Sequence, residues 1–153
     1  MSTTSTDNES NETAATSPRW VGIDHVQVAI PTGGEDEARR FYTGTLGLPE
    51  TPKPAVMAAR GGAWFEAGPV RVHVGVEDPF VPARKAHPAL TMHGLRGFIA
   101  STGLDATWNT EVPGVVRCHV FDPFGNRIEL IDASHVETNA NAVAVADDDV
   151  GST

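Results

Sequence analysis

The alternation of apolar and polar residues predicts strands in the first half of the chain. In residues 21–30 (VGIDHVQVAI), apolar side chains at every second position from residue 26 form one face, and His25 and Gln27 belong to the other. In residues 70–77 (VRVHVGVE), four valines form one face and His73 lies on the other. Each of these strands is therefore predicted to have an apolar back and a polar front.

The residues between these strands predict a helix and two shorter strands. Residues 35–48 place apolar and aromatic side chains on one side and acidic residues in the first turn, where the helix dipole favours them. Residues 56–59 and 63–67 predict short strands, and Trp64 is interpreted as a core aromatic residue. The first half is thus predicted to be a βαβββ unit.

The second half of the chain repeats this order. The same patterns predict one helix, at residues 95–104, and four strands, at residues 87–92, 107–110, 115–121 and 127–132. An internal repeat of this kind predicts two half-sheets that together enclose one concave polar face. The predicted fold class is α+β, with two βαβββ modules that form a curved mixed sheet.

The length and the distribution of charge indicate one folded domain between acidic tails. The chain has 153 residues, about the length of one domain, and a formal net charge of −9. Three acidic residues lie in residues 1–18 and four in residues 137–153, and neither stretch contains lysine or arginine. We expect residues 1–18 to be disordered, residues 137–153 to be a tail, and residues 19–136 to fold, with modules at about residues 20–80 and 86–133.

The composition also argues against several classes of protein. The sequence has no apolar run of about 18 residues that would span a bilayer, and its first residues do not resemble a secretory signal. The single cysteine, Cys118, cannot form a disulfide within the chain, and the strand alternation places it on an apolar back. Without its tails the chain has little net charge and offers no basic surface to nucleic acid. We therefore expect a cytoplasmic protein that binds neither membrane nor nucleic acid.

Four ionisable side chains are predicted to lie on the polar sides of the strands. They are His25, His73 and His87 on the first, fourth and fifth strands and Glu129 on the last. Two imidazoles and one carboxylate form a ligand set that binds a divalent first-row metal ion and leaves coordination positions open. The pattern therefore predicts a metal site.

Glu129 is the most informative member of this set. A carboxylate that faces the inside of a sheet must be paired with, or bound to, a positive group to offset its desolvation. A metal ion would satisfy this need, and so would a salt bridge with Arg117 or Arg127. The sequence leaves both interpretations open.

Four segments of the sequence stand out together: IDHVQVAI, FYTGTLGL, WFEAGPVRVHVGVE and, most specifically, FDPFGNRIELID, in which proline and glycine set the turn before the last strand. These segments resemble the vicinal oxygen chelate superfamily, which includes glyoxalase I, fosfomycin-modifying transferases, extradiol dioxygenases and bleomycin-resistance proteins. The resemblance covers nearly all of residues 21–132. It implies the same paired βαβββ fold that the alternation predicts.

The resemblance also implies a site. The metal ligands of the family match His25, His87 and Glu129 by position. The fourth-strand glutamate of glyoxalase I has no counterpart here, so His73 is either a fourth ligand or a base, and Glu129 is the other candidate for the catalytic base. His119 lies where fosfomycin enzymes have a tyrosine that contacts substrate.

Three functions are compatible with this site. The first is a metal-dependent enzyme of the lyase or isomerase type, which binds a small oxygen-chelating substrate at a divalent ion such as Fe, Mn, Ni or Zn. The alternatives are a ferrous extradiol dioxygenase and a metal-free protein that sequesters a ligand or an antibiotic. The side chains expected to contact the substrate are those of Gln27, Arg117 and His119.

The resemblance further implies a homodimer. Members of the family that have two βαβββ units in one chain commonly pair so that each site takes one module from each subunit. We therefore expect one chain to contribute His25 and the other to contribute His87 and Glu129.

Overall fold

The structure, a computed structural model, describes residues 19–134 and consists of two modules. The two predicted acidic tails lie outside the described residues. The first module contains β1 (Val26–Ile30), α1 (Glu35–Arg39), a π-helical segment (Arg40–Thr45), β2 (Glu50–Thr51), α2 (Ala55–Ala58), β3 (Ala63–Ala67) and β4 (Val70–Val76). The second contains β5 (Ala89–Met92), α3 (Leu95–Thr102), β6 (Thr107–Asn109), β7 (Arg117–Phe121) and β8 (Arg127–Asp132).

Each module forms one four-stranded mixed sheet, and the two sheets have equivalent topology. The strand orders are β1-β4-β3-β2 and β5-β8-β7-β6. In each sheet the first strand runs parallel to the last strand of its module, and the other pairs are antiparallel. The fold is therefore α+β with a repeated βαβββ unit, as the sequence predicted.

The structure corrects the start of the first strand and the position of the second. Strand β1 begins at Val26, so His25 precedes the strand instead of lying within it. The strand predicted at residues 56–59 is wrong, because Ala55–Ala58 is a helical turn and the second strand is Glu50–Thr51. Such a short apolar run does not distinguish strand from helix, and the Val56 side chain in it is 83% exposed.

The helix predicted at residues 35–48 changes its geometry partway. An α-helix with three acidic residues in its first turn continues as the π-helical segment, whose wider turn joins Leu46 N–H to the Phe41 carbonyl at 2.9 Å. Phe41 and the adjacent Tyr42 are both buried. The wider turn lets two consecutive aromatic side chains enter the core.

The apolar backs of both sheets contribute to one core. As the alternation predicted, Val72 and Val74 of β4 are buried, and so is Cys118 of β7. The other buried apolar side chains are Val28, Ile30, Ala38, Phe41, Tyr42, Leu48, Ala63, Phe65, Leu95, Val120, Ile128 and Leu130. Because the core takes the backs of the sheets, the opposite faces remain for polar side chains.

No helix between residues 19 and 134 is long and apolar enough to cross a membrane.

A buried polar network in the turn before β8 joins the two modules. The Asp122 carboxylate accepts hydrogen bonds from the Tyr42 hydroxyl at 3.0 Å and from the Asn126 backbone N–H and side-chain amide, each at 2.8 Å. The Asn126 amide also donates to the Ala29 carbonyl at 2.8 Å, and its oxygen accepts from Ala83 N–H at 3.0 Å. Burial, followed by the Asp122 charge, raises the pKa of Tyr42. The network fixes the end of the first sheet against the turn that leads into β8.

We expect Gly62→Ala to lower the free energy of unfolding by about 2 kcal/mol or more. Gly62 has a φ of +77°, and a Cβ there would lie 2.1 Å from the Val74 carbonyl oxygen. The matched control is Gly97→Ala in α3, where a Cβ meets nothing within 4 Å. Removing glycine from a helix interior should raise stability by about 0.5–1 kcal/mol. Urea denaturation measures both values, and equal stability of the two variants would contradict the prediction.

Candidate functional site

The repeat places corresponding groups on the polar faces of the two sheets. In the first sheet, His73 of β4 lies opposite Trp64 of β3. In the second, Glu129 of β8 lies opposite His119 of β7. His25 and His87 occupy matching positions, since each lies two residues before the residue that pairs with His73 or Glu129. Each polar face therefore carries one histidine just before its first strand and one pair of side chains that lie opposite each other on neighbouring strands.

The second module gathers a set of metal-ligating side chains. His87, His119 and Glu129 each offer a ligand atom, and these atoms all lie within 4.8 Å of one another. His87 Nε2 lies 3.3 Å from Glu129 Oε2, and the His87 and His119 rings meet edge to face with centroids 5.2 Å apart. Two imidazoles and a carboxylate fit a divalent first-row metal ion and leave positions open for a substrate.

Arg117 supports the carboxylate of this cluster. Glu129 is 7% exposed, and Arg117 donates to its Oε1 at 3.1 Å and to Asn109 Oδ1 at 3.2 Å. The guanidinium offsets the desolvation of the buried carboxylate, while Oε2 faces His87. The salt bridge and the metal-ligand geometry, which the sequence left as alternatives, are thus both present on the same side chain.

The two ring nitrogens of His87 have different surroundings. Its Nδ1 lies 2.8 Å from the Lys85 carbonyl oxygen, and an Arg127 nitrogen lies 3.0 Å from Nδ1. With the proton on Nδ1, the ring donates to the carbonyl; with the proton on Nε2, Nδ1 accepts from Arg127 and Nε2 donates to Glu129 Oε2 at 3.3 Å. The tautomer with the proton on Nδ1 is the one in which Nε2 can bind a metal ion.

The first module carries three stacked rings. His73 lies between Trp64 and His25, with ring centroids 4.4 Å and 4.1 Å away. It is 6% exposed, and its Nε2 is buried and has no hydrogen-bond partner. Burial, followed by the charge of His25, lowers the pKa of His73. The ring is therefore held neutral at pH 7, with one nitrogen unused.

His25 is exposed at the end of this stack and has the same type of support as His87. Its Nδ1 donates to Asp24 Oδ1 at 2.8 Å, and this hydrogen bond is the main reason that the pKa of Asp24 is lowered. Arg71 holds the other Asp24 oxygen at 2.7 Å. The carboxylate fixes the tautomer in which Nε2 of His25 can bind a metal ion.

The predicted site residues divide between the two sheets. His87 and Glu129 are brought together, whereas His25 and His73 lie on the first module and are not part of the His87 cluster. Of the predicted substrate contacts, Arg117 and His119 lie beside Glu129, and Gln27 is exposed on β1 opposite His73. Burial is the main cause of a lowered pKa for His119.

Sequence reasoning missed two residues of this region. Trp64 was expected in the core, but it lies on the polar face because its neighbours Ala63 and Phe65 take the buried side of β3. That alternation was available in the sequence. Arg127 was considered only as a partner for Glu129, yet the structure places it on His87 and the Lys85 carbonyl. No sequence signal identifies a contact with a backbone carbonyl so far away along the chain.

The free energy of unfolding is expected to fall as the pH is lowered through about 6.5, the ordinary pKa of histidine. The lowered pKa of folded His73 means that the unfolded chain binds more protons in this range, so acid favours unfolding. The variant His73→Phe keeps a stacked ring and should reduce this dependence. Urea denaturation at several pH values between about 8 and about 5 measures it.

The control for this experiment is Thr110→Val, which changes an exposed side chain that does not ionise and should leave the pH dependence of the wild type unchanged. Some pH dependence should persist in His73→Phe, because the pKa of His119 is lowered too. A slope identical to that of the wild type would show that His73 does not contribute.

Comparison with solved structures gives one close relative and several similar folds. The chain is 44% identical to a Bacillus anthracis protein assigned to the glyoxalase family, with a TM-score of 0.73, over 76% of this chain and 98% of that one. It also resembles the fosfomycin resistance protein FosX from Listeria monocytogenes, with 12% identity, a TM-score of 0.57 and coverage of 74% and 94%. No protein-family model and no curated protein matches the sequence.

A third structure has the same fold. It is lactoylglutathione lyase from Agrobacterium tumefaciens, with 15% identity, a TM-score of 0.53 and coverage of 76% of this chain and 96% of that one. The two structures of low identity agree with the fold alone, whereas the Bacillus anthracis relative covers the described domain at an identity that identifies a family.

Proposed function

Because this chain belongs to the glyoxalase family of the vicinal oxygen chelate superfamily, we propose that it is a metal-dependent enzyme acting on a small oxygen-chelating substrate. The observation that carries the proposal is the cluster of His87, His119 and Glu129, whose ligand atoms lie within 4.8 Å of one another. A lyase or isomerase reaction suits this site best. When bound, a divalent ion would supply Lewis-acid polarisation of the substrate oxygens.

The chain's own residues have separate roles in this proposal. His87 and Glu129 hold the ion, and the Lys85 carbonyl and Arg117 orient them. Glu129 and His73 are the two candidate bases, because each has an atom able to accept a proton: a carboxylate oxygen in the first case and the unpartnered Nε2 in the second. The lowered pKa of His73 favours its neutral imidazole, the form in which one ring nitrogen can accept a proton.

The proposal is tested by the metal content of the purified protein. The protein is prepared without chelator and examined by elemental analysis, before and after incubation with Fe²⁺, Mn²⁺, Ni²⁺ and Zn²⁺. We expect close to one ion per chain. Iron would favour dioxygenase chemistry, whereas nickel, zinc or manganese would favour isomerase or lyase chemistry. No binding of any of these ions would overturn the proposal in favour of a protein that sequesters a ligand without metal.

We further propose that the protein is a homodimer with shared sites, in which His25 of one chain joins His87 and Glu129 of the other. The matching support of the two histidines favours this arrangement: each has its Nδ1 on an oxygen acceptor and its Nε2 available. The separation of His25 from the His87 cluster within one chain is consistent with it. A single small-molecule substrate would then contact both modules.

Mixing two inactive variants tests the shared site. His25→Ala and Glu129→Ala should each bind little metal, but a dimer with one copy of each has one intact site of two, so random mixing should restore about a quarter of the sites. The readout is metal bound per chain after the mixed subunits are allowed to exchange. No recovery, when subunit exchange is verified with tagged chains, would contradict shared sites.

A further inference from the structure

Two arginine side chains flank the candidate metal site. Arg127 and Glu129 are two residues apart on β8 and share its polar face, and Arg117 and His119 do so on β7. Arg117 contacts Glu129 at 3.1 Å, and Arg127 lies 3.0 Å from His87. Each of the two central ligands therefore has a guanidinium next to it.

Both guanidinium groups keep donors that the protein does not use. A guanidinium has five N–H donors. The Nε atoms of Arg117 and Arg127 are both buried and have no hydrogen-bond partner. When His87 carries its proton on Nδ1, the remaining Arg127 contact is the Lys85 carbonyl, at 3.1 Å. The Nε atoms are enclosed, so a substrate would reach Arg127 through Nη1, which is not among the buried atoms and makes no hydrogen bond within the described residues.

The charges around the site are also unbalanced. The polar face that holds Arg117 and Arg127 has two guanidinium groups and one carboxylate, that of Glu129. On the first polar face, Arg71 lies 2.7 Å from Asp24 and 3.8 Å from Glu66, and neither carboxylate is paired with Arg117 or Arg127 among the described residues. A divalent ion on His87 and Glu129 would add positive charge to the second polar face, which favours an anion there.

We propose that Arg127 and Arg117 recognise an anionic group of the substrate, so that the substrate is a carboxylate with a neighbouring hydroxyl or carbonyl oxygen. This inference rests on the proposed function and specifies the substrate class of the same site. The planar fork of a guanidinium matches the two oxygens of a carboxylate. Arg127, held beside His87 by the Lys85 carbonyl, then binds substrate, which explains why it is an arginine whose nitrogens are not all used by the fold.

The test compares two ligands that differ in charge and little else. Glycolate and glycolamide both carry a hydroxyl next to a second oxygen, but only glycolate is an anion. Calorimetric titration of each into the Zn²⁺-loaded protein and into the metal-free protein gives four affinities. We expect the wild type to bind glycolate at least about tenfold more tightly than glycolamide, consistent with a charge-assisted pair.

Variants distinguish the contribution of Arg127 to ligand affinity from that of the metal ion. Arg127→Gln should lower the affinity for glycolate about tenfold and leave that for glycolamide unchanged, and Arg127→Lys should recover part of the loss because charge returns without the fork. Zinc content is measured for every variant, so that titrations are compared at equal loading. The matched control is Arg40→Gln, an exposed arginine in the π-helical segment, which should behave as the wild type.

The two proposals fail separately. If zinc binds but Arg127→Gln retains the full preference for glycolate, the anion inference is overturned and the metal site stands. If zinc does not bind but metal-free protein still prefers glycolate through Arg127, the metal proposal is overturned and the anion inference stands. Equal affinity for glycolate and glycolamide in both forms of the wild type overturns the anion inference.

Discussion

Glu129→Gln is expected to lower metal affinity at least about a hundredfold. Loss of an outer partner of a metal ligand typically lowers affinity ten- to a hundredfold, and the ligand itself should matter more. The amide keeps the size of the side chain but removes the charge that the partly buried Arg117 guanidinium pairs with at 3.1 Å. Elemental analysis and competition with a chromophoric chelator measure the change.

The control for Glu129→Gln is Glu37→Gln, which removes an exposed carboxylate from α1. This variant has the same change in net charge, so it should bind metal as the wild type does. Circular dichroism and urea denaturation establish that the Glu129 variant is folded. Undiminished metal binding by folded Glu129→Gln would remove this residue from the ligand set.

Asp122→Ala is expected to lower the free energy of unfolding by about 3 to 5 kcal/mol, because it leaves several buried donors unsatisfied and each costs about 1–3 kcal/mol. The substitution leaves the buried Tyr42 hydroxyl and two Asn126 donors without their acceptor. Because Asn126 also holds the Ala29 carbonyl, the loss should affect the contact between the modules. Urea denaturation measures it.

The matched control is Asp105→Ala, at an exposed position between α3 and β6, where the change should be within about 0.5 kcal/mol. A second variant, Tyr42→Phe, removes one donor and keeps the ring. It should destabilise by less than Asp122→Ala, because only one of the hydrogen bonds to the carboxylate is lost. A stability for Asp122→Ala equal to that of the Asp105 control would show that the network does not join the modules.

Much of the fold could be predicted because alternation repeats locally. The valines of β4 and the pattern around Glu129 identify which face of each strand is buried, and the structure confirms both. The same reasoning failed at residues 56–59, where the apolar segment is too short to show whether its periodicity is that of a strand or of a helix. It also placed the start of β1 five residues too early, because the pairing of β1 with β4 begins only at Val26, opposite Val72, although the apolar pattern begins before it.

The candidate site was predictable in its chemistry but only partly in its arrangement. The alternation of side chains predicted polar faces for His73 and Glu129, and the structure brings Glu129 together with His87 and His119. The alternation of side chains along a strand could not show that His25 stacks on His73 instead of lying beside Glu129. Which sheet faces which is decided by how the modules pack, and packing depends on contacts between residues far apart in the chain.

By itself the sequence determined the repeated βαβββ unit, the polar faces and the residue types able to bind a metal ion, since all of these follow from local periodicity and side-chain chemistry. Only the tertiary structure decided which of these residues meet. It joined Asp122 to Tyr42, 80 residues away, and placed the Lys85 carbonyl on His87 and Arg127. Such contacts depend on how one element packs on another. Because every residue has a backbone carbonyl, the sequence does not indicate which carbonyl will form a given contact.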